Sequence, residues 1–167
     1  MTFPRLACLA TLVMCVACGG GDSSPAAVPT PTPPPRAVAH VLLDPNPVTA
    51  TPSGDPAYPW AFRVNIQLSD SGGVAFIVSS MITTITASST GETWLSTSEN
   101  PFSGTKIPAN GQTTLQLYMP SYRMDWAKTK EGTLAVKMNF IDDNGYPSTY
   151  DGSVRIQSTG DPASLPG

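Results

Sequence analysis

A chain of 167 residues has room for one domain plus attachments, and its 18 Pro and 14 Gly mark stretches that cannot contribute to a packed core. Only 13% of the residues are charged, the formal net charge is −3, and the densest basic pair is Lys128 and Lys130; this composition excludes nucleic-acid binding through a basic face and electrostatic docking on an anionic lipid surface. The three cysteines, Cys8, Cys15 and Cys18, all lie at the N-terminus, so the rest of the chain has neither a disulfide framework nor a cysteine zinc site and must stand on its apolar core.

Arg5 places one positive charge near the N-terminus, and Leu6 to Val16 is an unbroken run of apolar or small residues. The run has about 11 residues where a membrane-crossing helix needs about 20. Its length and flanks are those of a secretory signal. It ends at Val16-Ala17-Cys18-Gly19-Gly20-Gly21, which resembles the lipobox of bacterial lipoproteins. The resemblance implies that residues 1–17 are a signal peptide removed after Ala17 and that the Cys18 thiol is acylated, making the membrane a partner through the N-terminal lipid. Cys15 departs from the pattern, standing where that family usually carries Leu, Val or Ile. In enteric lipoproteins an Asp after the acylated cysteine retains the protein in the inner membrane. Gly19 occupies that place here, so the resemblance implies the outer membrane of a cell envelope.

Residues 18–36 read as a tether. Glycine and serine come first, then Pro29-Thr30-Pro31-Thr32-Pro33-Pro34-Pro35, which favours an extended polyproline II spacer because proline has no N–H for a ladder.

From 37 to 157 the hydropathy alternates with period two. Trp60, Phe62, Val64, Ile66 and Leu68 alternate with polar or small neighbours, as do Leu134, Val136, Met138 and Phe140; Leu115 with Leu117, and Tyr150 with Val154 and Ile156, repeat the pattern. This is the signature of half-buried strands. Val74–Val78 is apolar on both faces, as in a central strand. Turns are expected at Asp70–Gly73, Thr90-Gly91, Ser103-Gly104, Asn110-Gly111 and Asp142–Gly145, the last with an Asn-Gly pair suited to a two-residue I′ turn. One helical turn is expected within Ser121–Lys130, where Tyr122 and Trp126 lie four apart. Residues 158–167 read as a disordered tail. About seven short strands with regular turns predict an all-β, two-sheet antiparallel sandwich.

The order of these segments resembles immunoglobulin-like domains of the fibronectin type III kind. Pro45-Asn46-Pro47 matches the break after the first strand, Ile107–Gly111 the approach to the fifth, and Gly132–Ile156 the closing hairpin. The family's inter-sheet cysteine pair is missing, and Leu134 occupies its tyrosine-corner position.

No catalytic or metal constellation emerges. His40, the one histidine, sits in the first strand with no nucleophile motif beside it. Asp142-Asp143-Asn144-Gly145 lacks the spaced acids and closing Glu of a calcium loop, and a hairpin turn explains it. Asp125, Glu131, Glu92 and Glu99 read as solvated charges rather than glycosidase carboxylates. Met81, Met119, Met124 and Met138 read as core filling rather than a copper site. No cofactor is expected. Trp94, Tyr122 and Trp126 fall in loop-like segments and are the candidates for partner binding. The expectation is therefore a lipid-anchored envelope protein, not an enzyme, whose domain binds or adheres to a protein or glycan. The alternatives are a spacer or assembly subunit that pairs through an edge strand, and a hydrolase.

Overall fold

A computed structural model describes residues 31–55, 57–121 and 131–158, and its strands belong to one compact unit, Pro33–Gly167. The strands are β1 (Ala39–Asp44), β2 (Val48–Asp55), β3 (Tyr58–Asp70), β4 (Phe76–Ala87), β5 (Thr93–Thr97), β6 (Lys106–Ile107), β7 (Gln112–Ser121), β8 (Glu131–Asp142) and β9 (Pro147–Ser158). The leader with Cys18, and the segment after Ser121 where a helical turn is expected, lie outside the described residues.

The expected immunoglobulin-like sandwich is the observed one. In the first sheet β3 lies between β1 and β7, all antiparallel. In the second the order is β9-β8-β4, with β6 and β5 one after the other along the far edge of β4, at Phe76–Ile77 and Thr83–Thr86. Strand β2 serves both sheets. Val48–Ala50 runs parallel to β9, and from Thr51 the chain pairs antiparallel with β3. The sequence explains the transfer. Pro45 and Pro47 have no N–H to continue the β1–β3 ladder, and Val48 and Ala50 then turn inward and are buried.

The alternation assigns the core residue by residue. Trp60, Val64, Ile66 and Leu68 have no exposed surface, and Phe62 has almost none. From the facing sheet come Leu134, Val136, Met138 and Phe140, together with Phe76, Ile85 and Ile156. Phe76 and Phe140 meet edge-to-face, their ring centroids 5.1 Å apart, which suits the charge distribution of aromatic rings. Met81, Met119 and Met138 are buried in the same interior and fill it.

Four expectations are corrected. Among the described residues nine strand segments replace about seven, because the prolines split β1 from β2 and a turn at Pro101–Gly104 separates β5 from the two-residue β6. The run Val74–Val78 becomes regular strand only at Phe76, although Val74 and Ala75 are buried ahead of it. Ser158 pairs with Ala50 at the end of β9, so it belongs to the sheet rather than to a tail. The last hairpin is not a two-residue I′ turn, which needs positive φ at both central residues. Here Gly145 alone has it (φ 82°), and bonds from Gly145 N–H to Asp142 O and from Asp142 N–H to Tyr146 O close a longer turn.

Candidate functional site

Of the residues expected to bind a partner, Trp94 is described and Tyr122 and Trp126 lie outside the described residues. Trp94 is in strand β5 rather than a loop, and is half-buried against the core. Its ring lies over Gly132, where a Cβ would come within 3.3 Å of Trp94 Cζ3. Alternation places it badly because β5 is short and half-exposed throughout. His40 is an exposed strand residue, as expected, with Nε2 2.7 Å from the Ser71 hydroxyl. Glu131 pairs with Arg155 at 3.3 Å on the surface, and Glu92 and Glu99 are exposed. Among the described residues no group of three His, Cys, Asp or Glu side chains is placed to hold a metal ion.

The acidic turn residues have a structural task that sequence inspection missed. Asp70 and Asp142 are both buried. The Asp70 carboxylate accepts main-chain N–H bonds from Val38 (2.9 Å), Gly72 (3.0 Å), Gly73 (2.8 Å) and Asn110 (2.9 Å). Asp142 accepts from Ala37 (3.2 Å), Asn144 (2.9 Å) and Tyr146 (2.8 Å). Burial pushes both carboxyls up, but the backbone donors outweigh it and hold both below the ordinary carboxylate value. The two aspartates thus grip the chain where it joins β1. Asn144 Nδ2 donates to the Pro35 carbonyl at 2.8 Å, and the Arg36 guanidinium lies 4.0 Å from the Tyr146 ring centroid. Gly72 is needed for close approach, since a Cβ there would collide with the Arg36 carbonyl oxygen and the Val38 nitrogen. The neighbouring Asp143 is bound by Lys106 at 2.8 Å. The segment that superficially resembles a calcium loop is a turn in which Asp142 accepts main-chain N–H bonds and Asp143 pairs with Lys106.

A different region has the geometry of a binding site. Asp70 N–H bonds the Gly111 carbonyl and Ser71 N–H bonds the Val38 carbonyl. In an antiparallel ladder successive residues turn their N–H and C=O groups to opposite sides. Odd-numbered residues of β3 therefore face β1 and β2. Ser69, Gln67 and Asn65 meet β1, and Ala61 meets β2. Arg63 falls between them, opposite the point where β2 has left for the other sheet, and no strand pairs that side of it among the described residues. A cleft of about 430 Å³ opens there, lined by Pro45, Thr49, Thr51, Ala61, Arg63 and Tyr118. That volume lies within the usual range for small-molecule sites, about 300–1,000 Å³. Arg63 and Tyr118 are cross-strand partners, the guanidinium 5.3 Å from the ring centroid, and Tyr118 is 49% exposed.

Arg63 and Tyr118 also belong to the outer face of the first sheet, formed by β1, β3 and β7. By strand parity that face carries His40, Leu42 and Asp44 of β1, Asn65, Gln67 and Ser69 of β3, and Gln112, Thr114 and Gln116 of β7. A second depression of about 220 Å³ is lined by His40, Gln67, Ser69, Gln112 and Thr114 among others. Nothing in the separate segments announces this surface. Arg63 reads only as a polar position of an alternating strand, and Tyr118 as the end of another.

The edge of the same sheet is open. The same phase argument turns the N–H groups of Gln112, Thr114, Gln116 and Tyr118 away from β3, and no described strand pairs them. Strand β7 has no charged residue, and its register with β3 runs without a bulge from Gln112 to Ser121.

These features define an immunoglobulin-like sandwich whose N-terminal strand region is divided between the two sheets. No protein-family model and no curated protein sequence matches the chain. Among solved structures it is similar to a protein described as ApaA from Bordetella pertussis, with a TM-score of 0.55 and 14% identity over 75% of this chain and 98% of that one. It is also similar to the structural-genomics target SoR45, with a TM-score of 0.50 and 16% identity over 76% and 89% of the two chains. PapD-like domain 7 of human CEP192 aligns over 86% of this chain and 99% of that one at 14% identity, with a TM-score of 0.45. At these identities the likeness concerns the fold alone.

Proposed function

We propose that the chain is a lipid-anchored protein of the bacterial cell envelope whose sandwich is a non-catalytic recognition module. The lipobox-like Val16-Ala17-Cys18 supports the anchor, and the proline-rich segment supports a spacer between membrane and domain. Recognition rests on one observation, the cleft at the β2 sheet transfer, where the Arg63–Tyr118 pair stands at the point where β3 is unpaired on its β1/β2 side. Arginine and tyrosine are, with tryptophan, the residues enriched among those that anchor a bound partner.

Two measurements test this reading. Mass spectrometry of the protein from its host should find an acylated Cys18 at the N-terminus, and Cys18→Ser should release the chain from membranes. The full-length protein in detergent should bind members of a glycan and envelope-protein array, and Arg63→Gln/Tyr118→Ala should lose those signals. An array on which wild type and double variant give the same pattern overturns the recognition site.

Assembly through β7 is the second reading, favoured by its long, uncharged and unpaired edge, because exposed edges of this kind are usually blunted by charge or bulges. Thr114→Pro removes an outward N–H while sparing the β3 ladder. If β7 pairs with another strand, this change reduces self-association or complex formation in sedimentation velocity; unchanged association counts against it.

A further inference from the structure

We infer that the outer face of the β1–β3–β7 sheet binds an acidic polysaccharide lying along β3, with a sugar carboxylate at Arg63. This inference names the ligand class for the recognition site proposed above and rests on that reading.

The chemistry of the face carries the assignment. Sugars present hydroxyls that both donate and accept, and primary amide side chains match them because each carries donors and an acceptor. Asn65, Gln67, Gln112 and Gln116 supply four such amides on one surface, with the hydroxyls of Ser69 and Thr114 between them. Gln116 Nε2 lies 3.5 Å from Asn65 Oδ1, a long contact that leaves most of both amides available to a ligand. The exposed Tyr118 ring offers a flat apolar surface for the C–H face of a sugar ring.

Charge decides between neutral and acidic saccharides. On the second sheet's outer face Lys137 faces Asp151 in register and Arg155 is bound by Glu131. Across from Arg63 the cross-strand neighbour is instead Tyr118, and among the described residues the guanidinium makes no salt bridge. Asp44, in register with Asn65, is the carboxylate on this face. A chain of net charge −3 thus keeps an available guanidinium on a surface whose β3 and β7 positions, Asn65, Gln67, Ser69, Gln112, Thr114 and Gln116, are neutral hydrogen-bonding groups, with Asp44 of β1 as the one carboxylate named on it. Guanidinium binds carboxylate through two parallel N–H bonds, which gives direction as well as attraction. The surface is also long enough for a polymer. From Arg63 to Ser69 along β3 is about 20 Å, and the two depressions occupy the two ends of that line.

The test is titration of the full-length protein in detergent with polygalacturonate, with the same polymer after reduction of its carboxyls, and with dextran sulfate. Polygalacturonate should bind. Carboxyl reduction should weaken binding about tenfold or more, as should Arg63→Gln. Tyr118→Ala and Gln67→Ala should each weaken it measurably, and Lys137→Gln on the other sheet should leave it unchanged. Thermal melts verify that the variants fold, and all four positions are exposed. If both forms of the polymer bind alike and Tyr118→Ala weakens both, the acidic class is wrong while the recognition site survives. If dextran sulfate binds as well as polygalacturonate and Arg63→Gln weakens neither, the binding is diffuse attraction and the inference fails. No binding to any saccharide also overturns it, and the array comparison of wild type with the double variant then decides the broader reading separately.

Discussion

The carboxylate of Asp70 accepts the main-chain N–H of Val38 at 2.9 Å, joining the end of β3 to the residue just before β1. The same carboxylate bonds Gly72, Gly73 and Asn110. One buried side chain therefore ties together the incoming chain, its own turn and the loop before β7. Asp142 repeats the arrangement one residue upstream, at Ala37.

Replacing Asp70 leaves several buried donors without a partner at once. Asp70→Ala should lower stability by about 2–4 kcal/mol, more than one lost hydrogen bond. Asp70→Asn keeps a single acceptor oxygen and should fall between variant and wild type. Chemical denaturation provides the comparison, and amide exchange of Val38 and Asn110 should accelerate well before global unfolding. An Asp70→Ala protein with wild-type stability and exchange would remove the clamp from the account.

Acid should weaken the clamp. The folded-state values of Asp70 and Asp142 are depressed, with the backbone donors overcoming the upward push of burial. Their contribution is fully present above the unfolded carboxylate value, near about pH 4. It is lost as the pH falls from there through the depressed folded values. Melting temperature should hold steady from neutral pH to about 5 and then drop. In Asp70→Asn the drop should be shallower, because one of the two linked protons is gone; identical acid limbs for variant and wild type would show that Asp70 is not linked.

The core predicts a third outcome. Phe62 is inward-facing and 2% exposed, so Phe62→Ala should cost about 3–5 kcal/mol. Val136 has no exposed surface, and Val136→Asp would place an unpaired charge between the sheets and should prevent folding. Thermal melts of either variant that match wild type would contradict the assigned strand faces.

Thr83 predicts the opposite sign. It points into the interior of β4 at 1% exposure, and its hydroxyl has no hydrogen-bond partner among the described residues. Thr83→Val keeps the shape and removes the unsatisfied group, so it should stabilise the domain by about 1 kcal/mol. A destabilised Thr83→Val would mean that the hydroxyl is satisfied, for example by a buried water.

How much was legible in the sequence depended on whether the information was local. Strand faces were legible because side chains alternate across a pleat: the run Trp60–Leu68 declares its buried side without reference to any partner. The β1–β2 break was legible at Pro45 and Pro47, since a residue without an N–H cannot continue a ladder. Trp94 was misplaced because a five-residue, half-exposed strand carries no clear alternation. Asp142 could be recognised as a turn residue from its neighbours, but its bond to Ala37 spans 105 residues.

The one-dimensional pattern determined that this chain makes two sheets and which side chains lie between them, because a period of two is a property of each strand alone. Which strand lies beside which was decided only on folding. That step sent Val48–Ala50 to β9, left Arg63 unpaired on the side facing β1 and β2, and set Tyr118 of β7 opposite it. The physical reason is that a binding face is made of cross-strand neighbours, and register and strand order, not hydropathy, choose those neighbours.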